Sequence, residues 1–359
     1  MEIADFLVKT LPPEHDLETK AVLKQAVRAG RALAELKGIS KTIPNEAILI
    51  NTLPLLEAKN SSEIENIVTT QDDLFKEELF RNEVKNAAAK EVSNYGKALI
   101  QGYKSIKETG LLTNNQILTI QGIIEQNRAG FRKLPGTELK DNFGKTIYIP
   151  PQNPNDIINL MNNLEKVINE QTFFDVDPLI KMAVIHYQFE SIHPFYDGNG
   201  RTGRILNILY LVKEGLLDLP VLYLSRYIIK NKTDYYRFLQ NVRTSEAWED
   251  WLMFLLKGVE ETAVFTTKLI IDIRNLMQDY KQRIRSELGN IYSQDLLNSL
   301  FRHPYTRIDY LSKDINKSRQ TTSRYLDILV NHGFLRKEKF WKQNVYINDG
   351  LVKLFLNAE

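Results

Sequence analysis

The chain has 359 residues, 43% of them hydrophobic, a formal net charge of +2 and no cysteine. That length accommodates two or three domains and a large core, while the lack of cysteine excludes disulfides and thiolate metal sites and fits a reducing cytoplasm. A charge so near zero gives no overall field for nucleic acid or membrane, Met1 opens no signal pattern, and no apolar run reaches membrane-spanning length, so a cytoplasmic protein with no membrane contact is expected.

Residues 1–95 read as a helical region. Ala21, Leu23, Ala26, Val27, Leu33 and Leu36 recur at helical spacing over 18–37, and Gly38 stops the run. Residues 44–56 read as a second short helix or turn. Ser62 and Glu65 have capping-box spacing, which taken alone marks the start of another helix. Residues 75–102 and 114–126 read as two helices on either side of Gly110. The character then changes. Gly130, Pro135, Gly136 and Gly144 surround a short strand pattern, Thr146 to Ile149, and the stretch 127–151 reads as a β-hairpin. Its edge is suited to aligning an extended partner backbone as an added strand. Ile157, Ile158, Leu160, Leu164 and Val167 make 154–169 an amphipathic helix.

Next comes an apolar helix over 178–192, with Asp177 placed to cap it and Pro178 suited to its first turn. Residues 205–212 read as a second buried helix ending near Gly215. His186 and Glu190 lie four apart in the first helix, but no third ligand accompanies them, so His186 reads as structural. The loop between the helices holds His193, Asp197, Gly198, Asn199, Gly200, Arg201, Gly203 and Arg204. The first N–H groups of a helix have no internal partner and attract anions. Glycines let a large anion approach that backbone. Arg201 and Arg204, three apart, share a helix face and can aim at one polyphosphate. Asp197 alone is too little for a protein-only metal cage, but it suits Mg2+ that takes its other ligands from phosphate and water. His193 stands where an imidazole can take a proton from an incoming hydroxyl.

The run HPFYDGNGRTGR, residues 193–204, fits the Fic motif HPFx(D/E)GNGRxxR at every defined position. The chain therefore resembles the Fic family of protein adenylyltransferases. The resemblance implies transfer of AMP from ATP to a Tyr, Thr or Ser hydroxyl of a target protein, itself included, with release of pyrophosphate. It implies His193 as general base and Asp197 as the Mg2+ ligand. It places the amides of Gly198 to Gly200, with Asn199, on the α- and β-phosphates, Arg201 on the β-phosphate and Arg204 on the γ-phosphate. Thr202 and Gly203 complete the ATP-binding run. The hairpin at 127–151 takes the place of the family's flap, and Tyr236 that of a residue contacting adenine. Many Fic proteins also carry an inhibitory helix with the pattern (S/T)xxxE(G/N), which Ser61, Glu65 and Asn66 fit. Its glutamate pairs with the second motif arginine, here Arg204, and blocks the γ-phosphate.

Beyond the motif, 235–243 reads as a helix, and a long helix with a break runs from Trp248 to about Leu288. The last segment differs in character. Residues 295–301, 307–315 and 318–332 read as three short helices, followed by a hairpin over 334–338 and 344–347, and together they resemble a winged helix. In that reading 317–324 opens a recognition helix and 339–342 lies in the wing. Lys317, Arg319, Arg324, Arg336, Lys337, Lys339 and Lys342 outweigh Asp327 and Glu338, which suits DNA. A protein-docking or dimer-forming module is the other reading. The expected fold is mainly α: an N-terminal helical domain with the inhibitory motif (1–95), a Fic core with a β-hairpin flap (96–265), a linking helix (266–288) and a C-terminal winged helix (289–359). The expected function is an autoinhibited adenylyltransferase acting on a target protein, with a homodimer in keeping with the family. The alternative is a DNA-binding transcription regulator that uses the Fic core as a nucleotide sensor.

Overall fold

The computed structural model describes residues 7–80, 86–140, 143–340 and 343–357. The fold is mainly helical with two small antiparallel sheets, as expected. The first part comprises α1 (Lys20–Ser40), α2 (Ala47–Ile64), α3 (Gln71–Leu79), α4 (Ala87–Thr109) and α5 (Asn114–Glu125). A small hairpin follows, β1 (Leu139–Lys140) against β2 (Thr146–Tyr148). Then come α6 (Pro154–Asn169), α7 (Pro178–Ile192), α8 (Asn199–Lys213), α9 (Ser225–Lys230), α10 (Lys232–Ser245) and α11 (Trp248–Glu287).

The two centre helices, α7 and α8, are buried on almost every side, and α4, α5, α6 and α11 pack around them. Their capping follows the sequence. The Asp177 carboxylate accepts the Leu179 N–H at 2.8 Å. α11 runs unbroken for 40 residues and lies along α1, so the break expected in it is absent. Its Gly258 serves packing instead, since a Cβ there would meet the Tyr227 ring at 2.7 Å.

The single helix expected over 75–102 is two helices. Thr70 caps α3 through the Asp73 N–H, and Asn86 caps α4 through the Ala89 N–H. Residue 95 falls inside α4, so the N-terminal region and the core share that helix.

The larger correction concerns residues 44–66. No helix starts at Ser62. One helix, α2, runs through Pro54 and ends at Ile64, with Glu65 as its C-cap. An internal proline costs about 3 kcal/mol, but most of α2 is buried, including Leu53, Pro54 and Leu56, and packing outweighs the lost hydrogen bond. The end of α2 is a Schellman turn. Ile67 N–H donates to Ser62 O and Asn66 N–H to Glu63 O, both at 3.0 Å, with Asn66 in the left-handed region at φ 64°. Glycine and asparagine are the residues that tolerate this conformation, which gives the last position of the (S/T)xxxE(G/N) pattern a backbone reason. Asn66→Gly is expected to unfold within a few tenths of a kcal/mol of the wild type. Asn66→Val is expected to lose about 1–2 kcal/mol, read as the shift in thermal or urea unfolding.

The C-terminal module contains α12 (Gln294–Arg302), β3 (Tyr305–Thr306), α13 (Ile308–Asp314), α14 (Arg319–Asn331), β4 (Arg336–Phe340), β5 (Gln343–Ile347) and α15 (Asp349–Leu356). The expected three helices and hairpin are present, and β3 adds a third strand in the order β3–β5–β4. Several of its basic side chains are engaged internally: Arg319 with Asp309, Lys337 with Asp327, and Arg336 with Asp349 and Glu338. Lys342 lies outside the described residues. The module leans on α2 and α3. The Phe75 and Tyr305 rings lie 5.2 Å apart and those of Phe80 and Phe340 5.0 Å apart, while Tyr305 Oη donates to Asp72 at 2.7 Å. Among the described residues no helix is long and apolar enough to cross a membrane.

Candidate active site

The loop 193–198 joins the two buried helices and is held from several sides. α7 ends at His193, which takes the left-handed conformation at φ 49°, unusual for a side chain other than Gly or Asn. Arg132 secures it. Its Nε donates to His193 O and its Nη2 to Pro151 O, each at 2.8 Å, and its backbone N–H donates to Pro194 O. Tyr148 Oη, from the hairpin, donates to Ser191 O at 2.6 Å. Asn199 closes the loop on itself, with Oδ1 accepting from Phe195 N and Nδ2 donating to Phe195 O, both at 2.8 Å.

These contacts sort the residues of the motif. Asn199, expected on the phosphates, has both ends of its amide committed to Phe195. Thr202 is fully buried, so its side chain faces the core. Gly203 serves packing, because a Cβ there would meet Glu190 Oε1 at 2.5 Å and Phe189 at 3.1 Å. The open face is left to His193, Asp197, Gly200, Arg201 and Arg204, where the start of α8 presents its unpaired N–H groups.

That face already carries an anion. Glu65 reaches from the end of α2 to Arg204, Nη2 to Oε1 at 2.8 Å. Arg204 is 2% exposed, and its Nε and Nη2 also donate to Ser61 Oγ and Ser61 O at 2.8 Å. The Glu65 carboxylate stands over Gly200, so a Cβ at Gly200 would collide with it. Burial pushes the Glu65 carboxyl up, but Arg204, Arg201 and Lys232 together pull it down further and leave it below its ordinary value. Burial alone would weaken the charge on Arg204, yet Glu65, Tyr235 and Tyr95 outweigh it and hold the guanidinium charged. The expected Ser61–Glu65–Arg204 constellation is thus assembled.

α2 is further pinned by Glu57, which the sequence reading missed. This buried carboxylate accepts from Ser225 N at 2.9 Å, from Ser225 Oγ and from Tyr95 Oη at 3.1 Å. Burial pushes it up to about 7, against the pull of its hydrogen-bond donors and Arg204.

Arg201 faces a different carboxylate. Its Nη2 donates to Glu125 Oε1 at 2.7 Å, and Nη1 lies 3.5 Å from Glu91 Oε2. Asp197 is 77% exposed, with Oδ1 accepting the Gly198 N–H at 2.7 Å. Among the described residues no group of three His, Asp or Glu side chains could hold a metal ion. Asp197 therefore fits Mg2+ only as a single protein ligand that shares the ion with phosphate oxygens and water. Arg132, Glu57 and Glu125 escaped the sequence reading. The one signal for Glu125 was a carboxylate in the last turn of a helix, where the dipole disfavours it.

Burial, then Arg132 and Arg243, push the His193 imidazole down to about 3. It is neutral at physiological pH, and at so low a value also a weak base in the absence of nucleotide. Its Nδ1 has no hydrogen-bond partner among the described residues. Tyr236 is 42% exposed, and its ring sits edge-on to Tyr235 at 5.1 Å. Tyr235 is buried and meets His186 Nε2 at 2.8 Å, while His186 Nδ1 meets Gly203 O at 3.2 Å. His186 is thus structural, as expected. Burial, with Arg204 next, pushes it down to about 3. Unfolded histidine takes its proton near 6.5, so between pH 6.5 and 3 the unfolded chain binds a proton that native His186 refuses. Stability should therefore fall as pH drops through that window, by about 2 kcal/mol at pH 5 from this group. Thermal unfolding of His186→Gln should show a correspondingly flatter acid limb, and an equally steep one would refute the assignment.

A helical core whose two buried helices present a glycine-rich loop, an imidazole and two arginines over one helix N-terminus is a Fic-type core. Three family models match the chain: the Fic/DOC family N-terminal model at residues 23–104, the Fic/DOC family model at 111–211, and the C-terminal domain of SoFic-like protein adenylyltransferases at 276–351. The chain belongs to the Fic family. It is 30% identical over 133 residues to a protein adenylyltransferase Fic of Aedes aegypti, covering 36% of this chain and 26% of that protein. With the Drosophila erecta protein of the same name it shares 29% over 126 residues, or 34% of this chain and 24% of the relative. The match thus spans about a quarter of the length of these relatives. A Fic family protein from Desulfovibrio desulfuricans superimposes with a TM-score of 0.59 at 17% identity, covering 94% of this chain and 98% of that one. Fic-1 of C. elegans gives 0.55 at 18%, covering 72% and 75%. At such identities the likeness is one of fold.

Proposed function

We propose that this protein is an autoinhibited protein adenylyltransferase that moves AMP from ATP to a hydroxyl of a target protein, itself included. The observation that carries this reading is an imidazole beside a helix N-terminus whose anion position is filled by the chain's own Glu65. A nucleotide sensor has use for the anion site but none for the base.

In the proposed reaction the target hydroxyl oxygen attacks the α-phosphorus. The bond to the α,β-bridging oxygen breaks, pyrophosphate leaves, and the hydroxyl proton passes to His193. Arg201 balances the growing charge on the leaving β-phosphate, Arg204 grips the γ-phosphate once Glu65 withdraws, and Tyr236 borders the base. Asp197 would hold Mg2+, which neutralises phosphate charge when bound. The hairpin would present the target's backbone, with its exposed Ile147 placed toward a partner strand.

Residues 289–359 were the basis for the DNA-binding alternative. With Arg319, Arg336 and Lys337 paired within the module, we favour a protein-facing role, in which the module packs on α2 and α3 and steadies the helix that leads into Glu65.

The test uses labelled ATP, Mg2+ and intact-mass analysis of three purified proteins: wild type, Glu65→Gly, and Glu65→Gly with His193→Ala. The single variant should gain the mass of AMP and the double variant should not. ATP binding without mass gain in all three would favour the nucleotide sensor.

A further inference from the structure

The pair made by Glu125 and Arg201 has no counterpart in the roles assigned so far. Arg201 is 5% exposed, and the Glu125 side chain is 13% exposed. A pair this dry is costly unless the geometry is close, and here Nη2 and Oε1 lie 2.7 Å apart. Gly198 makes room for it. It sits at φ 79°, and a Cβ there would lie 2.6 Å from Glu125 Oε1. The face of Gly198 toward α5 is thus taken by a carboxylate. α5 makes a second tie to the same loop, Gln121 Nε2 donating to Asp197 O at 3.2 Å.

Two readings of such a pair exist, a second brake or a support. Glu65 is the C-cap of α2 and Glu125 the last residue of α5, so both carboxylates stand at a helix end. They differ in burial: the Glu65 side chain is 33% exposed and that of Glu125 13%, held where α5 packs on α4 and α8. Glu125 takes one amino group of the guanidinium, and among the described residues Nη1 then faces only Glu91, a side chain 46% exposed at 3.5 Å. A phosphate oxygen can displace that weak contact without disturbing Glu125.

We infer that Glu125 is a positioning residue, which orients Arg201 toward the leaving phosphate and remains paired with it during transfer. The inference rests on the transferase reading. Charge grows on the pyrophosphate as it leaves, so a well-aimed Arg201 does more in the transition state than in the bound ground state. Loss of Glu125 should therefore lower kcat more than it raises KM.

The experiment compares Glu65→Gly with Glu65→Gly carrying Glu125→Gln or Glu125→Asp, measuring kcat, KM for ATP and thermal unfolding. Glu125→Gln keeps the shape and loses the charge. It should lower kcat about 10-fold or more, the worth of one charge-assisted hydrogen bond, with KM within about threefold, at a temperature where the variant is fully folded; the unfolding temperature itself should fall, because the pair is nearly buried. Glu125→Asp should recover part of kcat. A kcat that rises makes Glu125 a second brake, and one that falls only where the variant begins to unfold makes it a structural residue. Either result overturns the inference. So does an active parent indifferent to Glu125→Gln, which leaves the transferase reading standing. A parent without His193-dependent transfer overturns both.

Discussion

Glu65→Gly is expected to raise AMP attachment about 10- to 100-fold over the wild type. Arg204 is fully buried and held at three points, Ser61 Oγ, Ser61 O and Glu65 Oε1. Removing Glu65 leaves both serine contacts, so the guanidinium keeps its place while one N–H is released toward the nucleotide. The space above Gly200 opens at the same time. A charge-assisted hydrogen bond contributes about 1.5–3 kcal/mol, and each 1.36 kcal/mol is about tenfold in rate. Removing one partner of a buried ion pair costs about 3–5 kcal/mol. The Glu65 side chain is 33% exposed, however, and water screens what it leaves behind, so the cost in stability should be well below that. Glu65→Gly should therefore unfold slightly earlier than the wild type without ATP and recover when ATP is added. Glu65→Gln, which keeps a weaker acceptor, should fall between the two in rate. A Glu65→Gly protein no faster than the wild type would sink the brake.

Much of this site was legible because local chemistry and global fold agree there. A loop with three glycines, two arginines and a histidine between two apolar helices has few structural uses, and the structure assembles His193, Gly200, Arg201 and Arg204 on one face. The (S/T)xxxE(G/N) pattern was also legible, but its place in a helix was not. Local capping rules made Ser62 a start, and 44–56 read as a separate short helix or turn. What decided was burial along α2, which a single sequence does not display. Glu125 and Arg132 were hidden for a related reason. Their partners are backbone atoms and an arginine tens of residues away, and no short-range spacing encodes such contacts. Asn199 carries a role that the motif alone does not display: its amide closes the turn on Phe195 from both ends.

His193→Ala in the Glu65→Gly background is expected to lower transfer about 10²- to 10⁴-fold, the usual worth of a general base. The choice of replacement decides what this number means. Residue 193 sits at φ 49°, where alanine and histidine are both strained and asparagine is tolerated. Arg132 holds this position through the His193 carbonyl rather than the ring. Neither Ala nor Asn removes that hydrogen bond, so the loop and the ATP site should survive both changes. His193→Asn should thus unfold no earlier than the parent, match it in ATP affinity, and still lose transfer as fully as His193→Ala. Neither replacement supplies a nitrogen that can accept the proton, so a shared loss belongs to the imidazole itself. If the asparagine variant kept most of the activity, the side chain at 193 would matter for shape alone, and the proton would have to leave the target hydroxyl by another route.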